Sequence, residues 1–298
     1  MNYIILDLEW DSVFYKAEKR FINQILQIGA VKLNEKFKII DTFEVTIKSA
    51  ISKKVTGRFA RLTGITTEKM LLGKPFDEAV LAYNEWVGED FVTMTWSNSD
   101  LYTIMENEES LLKGVKFKIE KYLDLQKFIQ NEMKLSGYEE KNQISLSNAA
   151  ELLSIKTDDI DFHTAKDDSL VSAHLLKKCY NKQRFEALIR DVSDPEFFKR
   201  LRFKSYAISK LSDPDVDKSQ LIFNCPECHK KAKRVSGWKY SNRWFWANFT
   251  CGCGKRFCGR VSFKKTFDDV IVRRNIGEFK VKKPKNEIVE TSAVGTGE

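Results

Sequence analysis

The sequence predicts an α/β domain, in which helices flank a mixed sheet, followed by a small domain that is basic and rich in cysteine. Three observations support this division. Short apolar, β-rich segments alternate with segments of helical spacing up to about residue 183. Five of the six cysteines lie between residues 225 and 258. Residues 225–285 contain 17 Lys and Arg but only 4 Asp and Glu, whereas residues 1–224 have a net charge of −2.

The first predicted strand, residues 3–10, carries two acidic residues near its end. Because side chains alternate along a strand, Asp7 and Glu9 should lie on the same face, about 7 Å apart. Two carboxylates at the end of a buried strand repel each other, and a divalent cation such as Mg²⁺ relieves this repulsion. Two solvated residues where a strand leaves a sheet would give the same pattern, so the pair alone leaves both interpretations open.

The next apolar segments predict two more strands, residues 24–33 and 38–47, joined by a polar turn. Between the first and second strands, residues 11–23 are basic and aromatic and are predicted to form a loop. This loop either covers the mouth of the site or is simply solvated.

A third acidic residue follows another short buried strand. Residues 76–87 have helical spacing, residues 91–96 are apolar, and Asp100 comes just after them at the start of a further helix. An acid in the first turn of a helix is favoured by the helix dipole, so this position has a structural explanation as well as a chemical one.

The last acidic candidate lies near the start of a predicted helix that runs to about residue 176. Asp168 shares a helical face with Val171 and Leu175 and should therefore point inward, whereas Asp167 lies about 100° around the helix. His163 precedes this helix, and its ordinary pKa near neutrality suits a general base. A lone histidine on a loop is also common at surfaces.

Together these segments resemble a known enzyme family. The order Asp7-x-Glu9, then Asp100, then His163-x4-Asp168 resembles the DEDDh branch of the DEDD 3′-5′ exonucleases. The resemblance covers residues 1–183 and implies a ribonuclease H-like sheet with two Mg²⁺ or Mn²⁺ ions. It also implies that Asp7 bridges both ions, that Glu9 and Asp168 complete the site of one ion, that Asp100 supports the other, and that His163 is the general base.

Other residues connect the chain to subgroups of this family and to its substrate. Trp96-x3-Asp100 resembles the enhanced-RNAi exonuclease-like subgroup, and the Asp-Leu-Glu-Trp sequence that ends at Trp10 resembles inhibitors of the KinA pathway to sporulation. Trp10 stands where many members carry a small residue, and it would either stack on the 3′-terminal nucleotide or pack in the core. Residues 59–67, which include Thr66, resemble the family's segment along the substrate, although helix caps at Gly64 and Thr66 explain these residues equally well.

The cysteines of the second domain form two short motifs. Cys225-x2-Cys228 and Cys251-x-Cys253 are separated by 22 residues, and this arrangement resembles a zinc ribbon with one structural Zn²⁺ bound by four thiolates. The second motif is one residue tighter than usual, so we leave open that a different residue replaces one of these ligands. The two alternative ligands are Cys258 and His229.

Aromatic and basic residues alternate between the cysteine motifs. Trp244 and Trp246 should share one face of a strand, with Phe245 on the other. With Arg243 and Lys255 they are candidates for stacking on a single strand and binding its phosphates. Packing in the core of so small a domain would account for some of the aromatic residues.

The resemblance implies a metal-dependent exonuclease that degrades single-stranded nucleic acid from a free 3′ end to nucleoside 5′-monophosphates, with RNA favoured over DNA. The alternative is a catalytically silent regulator that binds nucleic acid. We expect an exonuclease domain at residues 1–183, a helical linker at 184–219, a zinc ribbon at 220–280 and a disordered tail at 281–298. No apolar stretch approaches the ~18 residues of a membrane span, and the first residues enter a strand, so we expect a cytoplasmic protein without a membrane partner.

Overall fold

A computed structural model describes residues 1–112, 114–138, 142–155 and 164–280. Contacts within the chain define two compact units, Met1–Arg202 and Phe203–Glu298, and the boundary between them falls inside the segment expected to be a linker. His163 and the expected tail at 281–298 lie outside the described residues. None of the helices in the described ranges is both long enough and apolar enough to span a membrane.

The first unit is built on one mixed sheet flanked by helices. Its strands are β1 (Asn2–Tyr15), β2 (Arg20–Leu33), β3 (Ile39–Thr46), β4 (Phe91–Thr95), β5 (Lys121–Asp124) and β6 (Arg190–Asp191). Its helices are α1 (Gly57–Thr63), α2 (Thr67–Leu71), α3 (Phe76–Val87), α4 (Ser99–Ser110), α5 (Leu125–Leu135), α6 (Leu146–Leu152), α7 (Ala165–Cys179), α8 (Lys182–Glu186) and α9 (Phe197–Arg202). The strand order is β3-β2-β1-β4-β5-β6, and β1, β4 and β5 are parallel. The predicted α/β class is confirmed.

Strand β1 lies at the centre of this sheet and is buried on both faces. Ile4 and Leu6 pack with Val80 of α3, whereas Ile5 packs with Val171 of α7. This separation follows from the two-residue period of a strand. The next odd-numbered residues of β1 therefore face α7.

Two details of the sheet differ from the sequence prediction or add to it. The segment predicted to be a loop at 11–23 instead continues both strands, so β1 and β2 form a long hairpin that turns at residues 16–19. The ladder between these strands is interrupted once: Glu9 pairs with Gln27 and Trp10 pairs with Ile25, so Leu26 is an extra residue on β2. Such a bulge changes the direction of the side chains on either side of it.

The two short helices α1 and α2 are delimited by caps that the sequence predicts. Gly64 ends α1 with a left-handed φ of 67°. The hydroxyl of Thr66 accepts a hydrogen bond from the Lys69 N–H and starts α2. Both expected caps are confirmed.

The second unit contains an antiparallel sheet and its own core. Its strands are β7 (Tyr206–Ala207), β8 (Lys233–Arg234), β9 (Lys239–Ser241), β10 (Trp244–Thr250), β11 (Arg256–Lys265) and β12 (Val270–Gly277). The order is β12-β11-β10-β8, with β7 added to β11 and β9 added to β10. One face of the sheet packs into an aromatic core that includes Phe223, Phe245, Phe249, Phe257 and Phe263.

Candidate active site and cysteine cluster

Three carboxylates meet at the carboxyl end of the buried part of β1. Oxygen atoms of Asp7, Glu9 and Asp168 all lie within 4.8 Å of one another. The two residues of β1 face α7 because they follow the same alternation as Ile5, and Asp168 lies in the first turn of α7. The structure therefore brings together residues that are about 160 positions apart in the chain.

A glycine on β2 allows α7 to come this close to the sheet. Gly29 pairs with Asp7, and a β-carbon on Gly29 would lie 2.3 Å from the carbonyl carbon of Ala165 and 2.3 Å from the backbone nitrogen of Lys166. The Ser169 hydroxyl donates to the Ala165 carbonyl at 2.9 Å and lies 3.4 Å from the Gly29 carbonyl oxygen. Only a residue without a side chain permits this contact. Gly29 is not among the residues predicted from the sequence, although a glycine inside an apolar strand is a signal of such a close approach.

A buried glutamine holds the start of α7 in place. The Gln27 side-chain oxygen accepts a hydrogen bond from the Ala165 N–H at 3.3 Å, and its amide nitrogen donates to Glu44 at 3.2 Å. Glu44 also pairs with Lys166 at 3.2 Å. The first N–H groups of a helix have no partner within the helix, so Gln27 satisfies one of them and fixes the position of the turn that carries Asp168.

Asp100 is placed differently from the other three acids. It is 3% exposed, lies in the first turn of α4, and accepts a hydrogen bond from the Leu8 N–H at 3.1 Å. It is not among the carboxylates whose oxygens lie within 4.8 Å of one another. It is nevertheless near enough to raise the pKa of Asp7.

Three carboxylates of the site, those of Asp7, Glu9 and Asp100, are difficult to ionise. Desolvation, followed by repulsion from Asp100, Asp168 and Glu9, raises the pKa of Asp7 well above its ordinary value. Desolvation and repulsion from Asp168 and Asp100 raise the pKa of Glu9 to about 8. Desolvation raises the pKa of Asp100 to about 7, although hydrogen bonds from its own N–H and from the Leu8 N–H act to lower it. Crowded carboxylates of this kind need protons or a cation, and an all-oxygen set of ligands suits Mg²⁺ or Mn²⁺.

The stability of the protein without added divalent cations should fall as the pH rises. Between the ordinary Glu pKa of 4.5 and the value of about 8 for Glu9, the folded chain retains a proton that the unfolded chain has released. The stabilising contribution is complete below the unfolded pKa and is lost as the pH rises through the folded pKa. Melting temperatures measured between about pH 5.5 and pH 8.5 should therefore decrease, and added Mn²⁺ should raise them most at the alkaline end.

The Glu9→Gln variant is the control for this prediction. It removes one of the titrating groups and should make the dependence of melting temperature on pH less steep, and the part that remains comes from Asp7 and Asp100. An equally steep dependence in the variant would show that Glu9 does not titrate as described.

A cavity of about 550 Å³ opens beside Glu9, and Trp10, Arg58, Phe59 and Leu62 help to line it. Trp10 is half-buried at its edge. Helix α1 forms one wall of the cavity. The buried Asp11 carboxylate ties this wall to β1, since it accepts hydrogen bonds from the backbone and the hydroxyl of the residue that caps α1, at 2.7 and 2.8 Å. Of the three clustered carboxylates, that of Glu9 lines this cavity.

The second candidate site is a cluster of four thiols. The sulfur atoms of Cys225, Cys228, Cys251 and Cys253 lie within 4.8 Å of one another, and among the residues that the structure describes neither Cys258 nor His229 joins them. The Cys225–Cys253 and Cys228–Cys251 sulfur pairs are 3.6 and 3.4 Å apart. A hydrogen bond from the Cys228 N–H is the main cause that lowers the pKa of the Cys225 thiol to about 7. Four clustered sulfur ligands suit a tetrahedral Zn²⁺.

The tight second cysteine motif is accommodated by a turn. The Cys251 N–H donates to the Lys255 carbonyl at 2.9 Å, and the Gly254 N–H donates to the Cys251 carbonyl at 3.0 Å. Gly254 has a φ of 88°, which favours glycine. The turn brings both cysteines to the same point despite their short spacing.

The residues predicted to bind substrate are spread over both units. Trp244 and Trp246 are half-buried on one face of β10 and Phe245 is buried on the other, as expected. Thr66 caps α2, as described above. Arg243 is exposed in the turn before β10. Lys255 forms an ion pair with Glu227 at 2.7 Å beside the thiols.

Comparison with known proteins assigns the first unit. The family model described as Exonuclease (RNase T) matches residues 4–176, more than half of the chain. No curated protein sequence matches the chain.

Several solved structures share the fold. Cell-death related nuclease 4 (CRN-4) is 22% identical with a TM-score of 0.51, and the match covers 59% of this chain and 62% of that one, which is less than two thirds of its length. A full-length 3′-exonuclease is 18% identical with a TM-score of 0.51, over 65% of this chain and 91% of that one. The nuclease domain of 3′hExo, a DEDDh family member bound to rAMP, is 21% identical with a TM-score of 0.50, over 59% and 90%. With the family match and the clustered acids of β1 and α7, the chain belongs to the RNase T exonuclease family.

Proposed function

We propose that this protein is a metal-dependent 3′-5′ exonuclease that releases nucleoside 5′-monophosphates from single-stranded ends. The observation that carries the proposal is the cluster of Asp7, Glu9 and Asp168 within 4.8 Å, in a chain of the exonuclease family. Three half-buried acids this close together, with the pKa values of Asp7 and Glu9 raised, are costly for the folded chain unless a cation binds them. A catalytically silent scaffold gains nothing from that cost.

The side chains have separate roles in this proposal. Asp7, Glu9 and Asp168 would bind divalent cations, and Asp100, held by the Leu8 N–H, would support a second ion. Bound cations of this kind neutralise charge on the phosphate and on the leaving oxygen. His163 would accept the proton of the attacking water.

Substrate would enter along the cavity beside Glu9. In its lining, Trp10 offers a stacking surface and Arg58 a cation for the terminal nucleotide. We favour RNA over DNA, because the Trp96-x3-Asp100 spacing resembles the enhanced-RNAi exonuclease-like subgroup and because the similar 3′hExo domain was solved with rAMP.

The test is a digest of matched RNA and DNA oligonucleotides that carry a label at the 5′ end. With Mg²⁺ or Mn²⁺ the labelled strand should shorten one nucleotide at a time and release 5′-monophosphates, faster for RNA. An oligonucleotide blocked at its 3′ end should resist. Tight binding without cleavage under every metal condition would overturn the proposal and favour the silent nucleic-acid-binding regulator.

We further propose that residues 220–280 form a zinc ribbon in which Cys225, Cys228, Cys251 and Cys253 hold one structural Zn²⁺. The four clustered sulfur atoms support this. The second unit has a small core, so bound metal would contribute much of its stability.

Replacing Cys228 with serine should remove the zinc and unfold the second unit, because three sulfur ligands and one hydroxyl bind Zn²⁺ poorly. Zinc content by mass spectrometry should fall from one per chain to a small fraction, and limited proteolysis should cut within residues 203–280. The matched control is Cys258→Ala, which changes a buried cysteine outside the cluster and should retain one zinc per chain. Loss of zinc in Cys258→Ala but not in Cys228→Ser would show that Cys258, and not Cys228, is the zinc ligand.

A further inference from the structure

The sheet of the second unit has two chemically different faces. Phe245 pairs with Val261, and both side chains are buried in the core. On the opposite face, Trp246 pairs with Arg260. Because side chains alternate, this second face also carries Trp244 and Lys264, and we call it the Trp face.

The chain itself covers one half of the Trp face. The backbone of Lys280 makes two hydrogen bonds with the Asn248 side chain, at 2.8 and 3.0 Å. The Lys280 ammonium lies 4.0 Å from the Trp246 ring centroid, and Lys239 approaches the same ring at 5.1 Å. Cation–π contacts therefore occupy Trp246. Of the two tryptophans proposed from the sequence to stack on bases, Trp246 already has partners within the chain.

The other half of the Trp face is open and forms a cavity of about 530 Å³. Its lining includes Trp244, Tyr206, Arg243, Lys264 and Arg273, and no acidic residue of the described chain lines it. The volume falls within the range of about 300–1,000 Å³ typical of small-molecule sites. Three cations and two aromatic rings around one cavity suit a ligand that is both anionic and aromatic.

The turn beside the cavity contributes one of these cations, Arg243, from a backbone conformation that favours glycine. Asn242 and Arg243 join β9 to β10 in two residues, and their φ angles are 50° and 64°. A two-residue hairpin turn with both φ angles positive favours glycine at its second position. Arg243 occupies that position despite the strain and adds a guanidinium group to the rim of the cavity.

We propose that this cavity holds one nucleotide of a single-stranded nucleic acid, with the base stacked on Trp244 and the flanking phosphates bound by Arg243, Lys264 and Arg273. The proposal rests on the proposed function, since it names a second place where the substrate of that enzyme is held. A single strand is the fitting class of partner because its bases are free to stack on an aromatic ring and its phosphates complement the three cations.

The test measures binding separately from cleavage. The full-length Asp168→Asn protein is titrated into fluorescein-labelled 12-nucleotide strands of U and of dT, and affinity is followed by fluorescence anisotropy at several salt concentrations. Adding Trp244→Ala should weaken binding about tenfold, whereas Trp244→Phe should retain most of the affinity because it keeps an aromatic ring. Zinc content of one per chain in each variant excludes unfolding as the cause.

Two matched arginine variants distinguish binding at this cavity from nonspecific attraction of the strand to a positively charged surface. Arg273→Ala should weaken binding and reduce the slope of log affinity against log salt by about one. Arg234 is also exposed, but it pairs with Phe249 and so lies on the side of the sheet away from the Trp face. Arg234→Ala should leave affinity nearly unchanged. Equal losses in the two variants, or equal affinity of Trp244→Ala and its parent, would overturn the proposal and leave a generic basic surface.

Hydrolysis of a dinucleotide distinguishes failure of this inference from failure of the proposed function. Trp244→Ala in the active protein should raise KM for the 12-nucleotide strand more than KM for a dinucleotide, which offers fewer bases and phosphates to bind. If the protein cleaves nothing, the proposed function fails, and the binding measurements still decide whether the cavity holds a nucleotide.

Discussion

Asp168→Asn should reduce exonuclease activity by at least about 100-fold, because it removes one of three clustered carboxylates and with it a proposed ligand of the catalytic cation. The neighbouring residue is a closely matched control. Asp167 lies in the same first turn of α7 and carries the same charge, but it is not part of the cluster. Any effect on the helix dipole should be similar for both changes.

Initial rates on a labelled 3′ end, measured across a range of Mn²⁺ concentrations, would test this prediction. Asp167→Asn should stay within about threefold of the unaltered protein. Activity in Asp168→Asn that excess Mn²⁺ fully restores would show a weakened but still functional site. Equal loss of activity in both variants would contradict the assignment of Asp168 to the site.

Gly29→Ala should also cost about 100-fold in activity, although Gly29 touches no substrate. A β-carbon at this position would lie 2.3 Å from the backbone of Ala165 and Lys166, so the start of α7 must move away from β2. Asp168 moves with it, and a displacement of about 1 Å at a catalytic group can cost about 100-fold. Overpacking of this kind should also lower stability by about 1–3 kcal/mol.

Gly277→Ala is the control for the added methyl group in a strand. A β-carbon at Gly277 would meet only Arg260 side-chain atoms, at 3.7 Å or more, and should be tolerated. Chemical denaturation would measure stability and the labelled-oligonucleotide assay would measure activity. If Gly29→Ala keeps its activity, the close approach of α7 to β2 is not what positions Asp168.

The parts of the site that the sequence predicts are those that depend on local periodicity. Alternation along β1 puts Asp7 and Glu9 on one face, and the helical face of α7 distinguishes Asp168 from Asp167. The caps at Gly64 and Thr66 are predicted in the same way. Each of these inferences needs only a few neighbouring residues.

The parts that the sequence does not predict depend on contacts between distant residues. Gly29 meets Ala165, and Asp100 accepts a hydrogen bond from Leu8, over separations of about 136 and 92 positions. No local pattern encodes these pairings. Of the two lysines on the Trp246 ring, Lys280 likewise comes from a distant part of the chain, 34 positions away.

The extra residue on β2, Leu26, affects the packing on both sides of the sheet near the carboxylate cluster. Residues two apart on a strand ordinarily point the same way, but across this bulge Ile25 packs into the cluster with Leu6 while Gln27 reaches α7 on the other side. Leu26, which has no partner on β1, packs instead with Phe59 in the small cluster that seats α1 and α2. The interruption thus supplies a side chain that fastens the cavity wall to the strand, and deleting Leu26 would remove that contact while Gln27 still faced α7.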